Sequence, residues 1–403
     1  MTRPLEGVTI VEVAMWAFVP AAGGILADMG ASVIKIEPPT GDPLRGLSIA
    51  GSGGQGRINV SWENYNRGKR SVTLDLRQQA GVEVLYKLIE DADVFMTNLL
   101  PPARRRMKID IADLQSRNPK LIYAVGSGIG RQGPDGDKGG YDSISFWARG
   151  GIASSVSPAP GGYPAGMPSG AFGDSLSAAV LAGGVAAAIA QRALTGHAAV
   201  VDASLLNTGM WAMQRAITQA TLDGVKSLPG GSRETTFNPL TNIYRTADDR
   251  YLSLCMLQGQ RYWPEFCKVA GRPDLVDDPR FATDADRVRN AGECVRALDD
   301  LFASKSLAEW REILARQDGQ WDVVQEVGEL HEDPQVVANG YMQEVALRDG
   351  RKLKVISAPL QFDGAPLPAS GAPEVGEHSD EVLAALGFDE EAILNLKIAG
   401  VVF

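Results

Sequence analysis

Cysteine and histidine are scarce in this chain, with three of each among 403 residues. Cys255, Cys267 and Cys294 have neither an even count nor CxxC spacing, so a disulfide framework is excluded and reduced, mostly buried thiols are predicted. His197, His331 and His378 lie far apart and form no HExxH or similar ligand pattern, so no metal site is expected. A basic excess is also missing: 39 Lys and Arg face 49 Asp and Glu, for a formal net charge of −10. Chains that bind nucleic acid usually carry surplus positive charge to neutralise phosphates, so no nucleic acid partner is expected. The most apolar stretch, Leu176 to Ala190, is about 15 residues long and contains two glycines, too short for a bilayer span. Met1-Thr2-Arg3-Pro4 leads into a strand-like segment with no signal-peptide core ahead of it. A cytoplasmic protein without membrane contact is predicted.

What remains is an ordinary globular composition, 44% hydrophobic and 22% charged, long enough for about two domains. Val8–Val13 and Val33–Ile36 are short β-branched runs. Between them Pro20 can open a helix and Gly30 can end it, giving a strand–helix–strand crossover. Further strand-like runs at Val72–Leu76, Val94–Thr97, Leu121–Val125 and Ala199–Val201 alternate with helical patterns, which predicts a doubly wound parallel sheet. After about residue 225 the pattern changes. A hairpin around Ala247-Asp248-Asp249-Arg250 and helices over Tyr262–Ala270, Cys294–Phe302 and Leu307–Leu314 predict a smaller α+β domain. Asp349-Gly350 predicts a hairpin with a type I′ turn. A Pro/Gly-rich stretch from Ala358 to Gly376 then leads to two helices, starting at Ser379 and Asp389. The expected division is 1–205 for the first part of the large domain, 206–234 as linker, 235–325 as the small domain, and 326–403 as linker and return to the large domain.

Four segments carry candidate chemistry. The turn after the first strand is Ala14-Met15-Trp16-Ala17-Phe18-Val19-Pro20. It lacks the GxGxxG that lets backbone approach a pyrophosphate, so no NAD is expected. Trp16 and Phe18 either pack in the core or wall a site for a flat ring. Two basic clusters, Arg67-Gly68-Lys69-Arg70 and Arg104-Arg105-Arg106-Met107-Lys108, suit a polyphosphate or form a solvated face. Gly126-Ser127-Gly128-Ile129-Gly130 and Gly139-Gly140-Tyr141-Asp142 permit close approach to a ligand, or form a surface loop. In Gly173-Asp174-Ser175, Asp174 suits a helix N-cap. It equally suits a carboxylate nucleophile, kept ionised at pH 7 by a helix N-terminus worth roughly 0.3–1 kcal/mol, with Gly170, Ala171 and Gly173 leaving space around it.

Taken in order, these segments resemble the family III coenzyme A transferases, also called the CaiB/BaiF family. The resemblance is carried by Pro4-Leu5-Glu6-Gly7-Val8, by Leu26-Ala27-Asp28-Met29-Gly30-Ala31-Ser32-Val33-Ile34-Lys35-Ile36-Glu37, and by Lys69-Arg70-Ser71-Val72-Thr73-Leu74-Asp75-Leu76. It continues through Gly173-Asp174, Val200-Val201-Asp202-Ala203-Ser204-Leu205-Leu206 and Gly376-Glu377-His378-Ser379-Asp380-Glu381-Val382-Leu383. It implies a Rossmann-like large domain with a parallel sheet, a smaller α+β domain, and a homodimer of interlocked rings. It also implies acyl-CoA and a carboxylic acid as substrates, with Asp174 forming an acyl anhydride and then a CoA thioester. Met15, Trp16, Ala17 and Phe18 would line the nucleotide cleft. Lys69, Arg70 and Arg106 would meet phosphates; Asn98, Leu99 and Met107 would border adenine and pantetheine. Tyr141 would sit near the thioester. Backbone amides beyond Asp174 and near Tyr141 would steady the oxyanions.

The chain departs from the family in three places. Pro38-Pro39 follows Glu37 where some members have arginine, Lys138 is shifted by one residue, and the glycine loop over the site is reduced to Gly230-Gly231. The similar α-methylacyl-CoA racemases, the alternative reading, exchange an α-proton using a histidine within Gly-His-Asp. Here that segment is Gly140-Tyr141-Asp142, and tyrosine, with an ordinary pKa near 10, is a poor base at neutral pH. Phe146, Trp147, Met167 and Phe172 suggest an apolar acyl pocket and a preference for larger acids.

Overall fold

The computed structural model describes residues 3–47, 58–156, 162–228 and 232–403. Chain contacts divide these into a unit made from both ends, Met1–Lys226 with Pro334–Phe403, and a middle unit, Ser227–Asp333.

The larger unit begins with β1 (Thr9–Val13), α1 (Phe18–Asp28) and β2 (Ser32–Glu37), followed by α2 (Val60–Asn66), β3 (Arg70–Thr73), α3 (Gln79–Glu90) and β4 (Val94–Thr97). Then come α4 (Pro101–Met107), α5 (Ile111–Gln115), β5 (Ile122–Ser127), a π-helical turn over Ser143–Ala148, α6 (Ile152–Ser155), α7 (Phe172–Thr195) and β6 (Val200–Ser204). The six strands form one parallel sheet in the order β3-β2-β1-β4-β5-β6. Chain direction across the sheet reverses between β1 and β4, and there the strand ends leave a crevice for a ligand.

Both faces of the sheet are covered, which explains why its strands are nearly continuous apolar runs. Ile10, Val94, Met96, Ile122 and Ala124 pack under α1 and α7. Val11, Phe95, Tyr123 and Val125 face the opposite way, toward α3 and the C-terminal helices. Strand β3 starts and stops earlier than Val72–Leu76 predicts. Its partner β2 ends at Glu37, opposite Thr73, and the Asp75 N–H turns away to the Val401 carbonyl.

Helix α7 runs 24 residues, well beyond the expected apolar stretch, and by length and composition alone it could cross a membrane. Ser177, Ala178, Leu181, Ala182, Val185 and Ala188 place one face of it in the core against α1. Residues 206–226, expected as linker, are largely helical: α8 (Leu205–Ala212) and α9 (Gln214–Asp223) belong to the larger unit. Ser204 caps α8 by accepting from the Asn207 N–H, so the strand runs straight into the helix.

In the middle unit an antiparallel sheet, β7 (Thr241–Arg245), β8 (Tyr251–Cys255) and, further along, β9 (Trp321–Val323), packs with α10 (Gly259–Val269), α11 (Asp284–Arg289), α12 (Ala291–Phe302) and α13 (Leu307–Leu314). Trp263, Phe266, Phe302 and Trp310 fill its core. The chain returns to the larger unit through α14 (Pro334–Ala338), the hairpin β10 (Met342–Ala346) and β11 (Lys352–Ile356), and the short pair β12 (Gln361–Phe362) and β13 (Ala365–Pro366). In the first hairpin only Gly350 has positive φ, so the connection is longer than the expected two-residue type I′ turn. Helices α15 (Ser379–Ala385) and α16 (Glu390–Ile398) close the chain, and Phe403 exchanges hydrogen bonds with Thr73 of β3. The three cysteines are free.

Candidate active site

The site is assembled from the carboxyl ends of β1, β4 and β5. After β1, Met15 is fastened to the loop after β4: Asn98 Nδ2 donates to the Met15 carbonyl at 2.6 Å, and Asn98 Oδ1 accepts from its N–H at 3.1 Å. The next residue, Trp16, has φ +69°, a conformation that bulky side chains rarely adopt. Its ring meets Tyr141 edge-on at 6.1 Å. After β5 the chain passes Gly128 and returns at Gly140. A Cβ built on Gly128 would lie 2.7 Å from the Gly140 Cα, and one on Gly140 2.3 Å from Ser145 Oγ. These two glycines therefore serve close packing of the loop on itself, with the ligand approach left to their neighbours.

Tyr141 and Asp142 lead into the π-helical turn, an irregularity frequent at functional sites. Asp142 Oδ1 accepts from the Ser143 N–H at 2.7 Å. Nearby, Ala171 takes a left-handed φ of +58° and α7 begins. Asp174 is thus the third helical residue and not the cap. Among the described residues no hydrogen bond or ion pair engages its carboxylate. Gly173 is where it is because a Cβ would strike the Phe146 ring at 2.4 Å.

Met15, Trp16, Ala17, Phe18, Asn98, Leu99, Lys138, Tyr141 and Asp174 line one cleft of about 320 Å³. Arg104 and Arg131 also line it, and neither is among the residues named from the sequence as phosphate contacts. Arg104 belongs to the recognised basic run, but its place on α4 turns it inward, where it donates to the Leu99 carbonyl at 3.1 Å. Arg131 pairs with Asp202 at 3.6 Å. Its only advance signal was its position just past a strand.

Other expectations are corrected. Lys69 is fully buried and its Nζ bonds Glu12, the Pro20 carbonyl and Asn66, so it is closed to any phosphate. Arg70 lies on the edge strand β3, bonded to Ser32 and Glu381. Arg106 is exposed outside the cleft lining, and Met107 packs toward the core on the other side of the sheet. Phe146 and Trp147 are core residues and Phe172 and Met167 pack against them, so none of the four forms an open acyl pocket. Gly230-Gly231 lie outside the described residues.

Electrostatics single out Asp174. Burial, and then the charge of Asp142, raise its pKa to about 7, overriding the ionised state expected from the helix N-terminus. Burial likewise raises Asp142, against the pull of nearby backbone N–H groups. Tyr65 on α2 joins this group: burial raises its pKa, a hydrogen bond with Ser175 opposes the rise, and the charges of Asp174 and Asp142 add to it. Nothing in the sequence around Tyr65 signalled this placement.

A carboxylate free of structural bonds, in a cleft with three cationic side chains, suits attack on an anionic thioester. The model of CoA-transferase family III matches residues 5–379. The chain belongs to that family. It is 33% identical over 400 residues to "(R)-2-hydroxy-4-methylpentanoate CoA-transferase" of Clostridioides difficile, covering 99% of each chain. It is 30% identical to "Cinnamoyl-CoA:phenyllactate CoA-transferase" of Clostridium sporogenes, covering 98% of this chain and 96% of that one. A crystal structure of a CaiB/BaiF family protein from Brucella suis superposes with a TM-score of 0.82 at 26% identity, over 96% of this chain and all of that one. This CoA-transferase therefore acts on CoA thioesters and carboxylic acids, and its sheet is that of the family.

Proposed function

We propose that this enzyme moves CoA between carboxylic acids with Asp174 as covalent catalyst. The observation that carries the reading is the Asp174 carboxylate, which bonds none of the described residues and opens into the cleft beside Tyr141. In its ionised form it attacks the donor thioester carbonyl, and the C–S bond breaks to give a mixed anhydride and CoA thiolate. The thiolate attacks the aspartyl carbonyl, releasing the donor carboxylate and leaving an aspartyl-CoA thioester. The acceptor carboxylate attacks that thioester to form a second anhydride. The freed thiolate then attacks the acceptor acyl carbon, giving the new acyl-CoA and restoring Asp174.

Arg104, Arg131 and Lys138 supply charge for the CoA phosphates, and Met15 to Phe18 with Asn98 and Leu99 supply walls for its nucleotide and pantetheine. The Ser175 N–H is already used in the helix, bonded to the Ala171 carbonyl. Oxyanion donation therefore falls to the turn around Gly140 and Tyr141. Larger branched or aromatic acids are the proposed substrates, by analogy with the two Clostridial relatives and not on Phe146 or Trp147.

A homodimer, interlocked as the family resemblance implies, is also proposed. Helix α9 buries none of its residues within the chain, and Trp211, Leu222 and Leu194 are 69%, 80% and 86% exposed. Surface of that kind is ordinarily covered by a partner.

Incubation with an acyl-CoA and hydroxylamine, followed by peptide mass spectrometry, tests the chemistry. Hydroxamate on Asp174 is expected. An unmodified Asp174, with α-hydrogen exchange into deuterated solvent, would replace the transfer mechanism with a racemase one.

A further inference from the structure

Beneath the cleft lies a buried charge network that the proposed reaction does not use. Glu12 of β1 and Lys35 of β2 are cross-strand neighbours with fully buried side chains, and their charged atoms are 3.0 Å apart. Lys35 Nζ also lies 2.9 Å from Asp42 Oδ2, and Asp42, on the loop after β2, is itself 2% exposed. Buried ion pairs are often replaceable by apolar residues with no loss of stability, so a network of this kind calls for another reason.

Its bonds end on the backbone of the cleft wall. Lys35 Nζ donates to the Ala14 carbonyl at 2.9 Å. Asp42 Oδ1 accepts from the Trp16 N–H at 3.1 Å and from the Leu44 N–H at 2.9 Å. The Asp42 loop is fixed in turn: Glu37 accepts from the Asp42 N–H at 2.9 Å and from Arg45 Nε at 2.8 Å and Arg45 Nη2 at 2.7 Å. Trp16 is the residue that needs holding, because its positive φ is unfavourable for an indole side chain and persists only where its surroundings enforce it. Its ring borders the cleft and meets Tyr141.

We propose that Asp42, neutralised by Lys35, is a positioning residue that holds Trp16 in its strained conformation and so sets the CoA-facing wall of the cleft. This rests on the assignment of the cleft to acyl-CoA. An aspartate 26 residues away in sequence thereby acts on binding while touching no substrate.

The test reads CoA affinity by titration calorimetry on the full chain, so that it does not depend on turnover, together with KM and kcat for acyl-CoA. Asp42→Ala should weaken CoA binding and raise KM about tenfold while kcat changes less than about threefold. Asp42→Asn keeps an oxygen acceptor for the Trp16 and Leu44 N–H groups and should restore most of the lost affinity. Trp16→Gly, which takes a positive φ without strain, should weaken CoA binding by itself and make a further Asp42→Ala change nearly silent. Unchanged affinity in Asp42→Ala, or an equal effect of that change with and without Trp16, overturns the inference. If Asp42→Ala does not fold, Trp16→Gly decides, because unchanged CoA affinity there removes the wall from binding. A wild-type chain that binds no CoA overturns this inference and the functional reading together, whereas binding that ignores Asp42 overturns this inference only.

Discussion

The pH dependence of transfer follows from the placement of Asp174 and can be worked through. In the proposed mechanism Asp174 must be ionised to attack, and its pKa is held at about 7 by burial first and Asp142 second. Below that value kcat/KM should fall about tenfold per pH unit, since only the carboxylate form reacts. Asp142→Asn keeps the side-chain oxygen that accepts from the Ser143 N–H but removes the negative charge. From an ordinary 3.8 to about 7 is a displacement of roughly 3 pH units, and burial is the larger of its two causes. Less than half of it should therefore vanish with Asp142, moving the acid limb downward by no more than about 1.5 pH units. The assay is the pH profile of kcat/KM, followed by loss of the donor thioester, with an acceptor acid that stays ionised throughout. The apparent value belongs to the Asp142–Asp174 pair and not to either residue alone. A wild-type limb near pH 4, or a limb unmoved in Asp142→Asn, would rule out this role for Asp174 and Asp142; a fall of more than about 1.5 pH units would make Asp142 and not burial the dominant cause.

Asp174→Asn should abolish transfer and yet stabilise the fold at pH 8. A raised carboxyl pKa favours the neutral folded state, so stability is lost as pH rises from about 4 through about 7 and the loss is complete above it. The partly open cleft screens the charge, so the gain should be on the order of 2 kcal/mol at pH 8 and near zero at pH 4, read by denaturant unfolding. Lys69→Ala should lower stability by about 3 kcal/mol in the same assay, because the buried carboxylates of Glu12 and Asp42 are left sharing Lys35 alone. CoA affinity within about twofold of wild type would confirm that Lys69 meets no phosphate; a loss of about tenfold would contradict it. Arg131→Ala should raise KM for acyl-CoA roughly tenfold with little change in kcat, the signature of a lost phosphate contact. An unchanged KM would remove Arg131 from the site.

The fold was legible in the sequence where local signals and packing agree. Ile10, Val94 and Ile122 sit in short β-branched or apolar runs, and burial on both faces makes such runs necessary. That Met15 to Phe18 and Asn98 line a common cleft was legible for the same reason, since they follow directly on strand ends. Basic residues were the failure. Lys69-Arg70 and Arg104-Arg105-Arg106 are runs of like charge, and a run does not say which member faces a ligand. Lys69 is sent inward by Glu12, a carboxylate 57 residues earlier in the chain. Arg104 reaches the cleft only because α4 begins at Pro101 and turns its fourth residue toward the sheet. The left-handed backbone at Trp16 and Ala171 had no signal either, because neither residue type favours it and tertiary bonds impose it.

The sheet order is that of dinucleotide-binding folds, yet the first turn is built against a dinucleotide. In those folds a pyrophosphate rests on the N-terminus of the first helix, which requires glycines at the approach. Here α1 opens with Phe18-Val19-Pro20, preceded by a Trp16 that Asp42 holds in place, and all three opening residues are buried. In the proposed reading the phosphate-binding role is displaced from β1 toward the ends of β4 and β5. Arg104 and Arg131 stand there, and Lys138 follows on the loop that returns to Tyr141. Asp174 arrives at the same crevice from α7, which starts after the strained Ala171 and carries the carboxylate at its third residue instead of at its cap. As a cap, its oxygens would be spent on backbone N–H groups and lowered in basicity. At the third position it stays unbonded among the described residues, desolvated and basic enough to attack a thioester, which is the arrangement the proposed transfer of CoA requires.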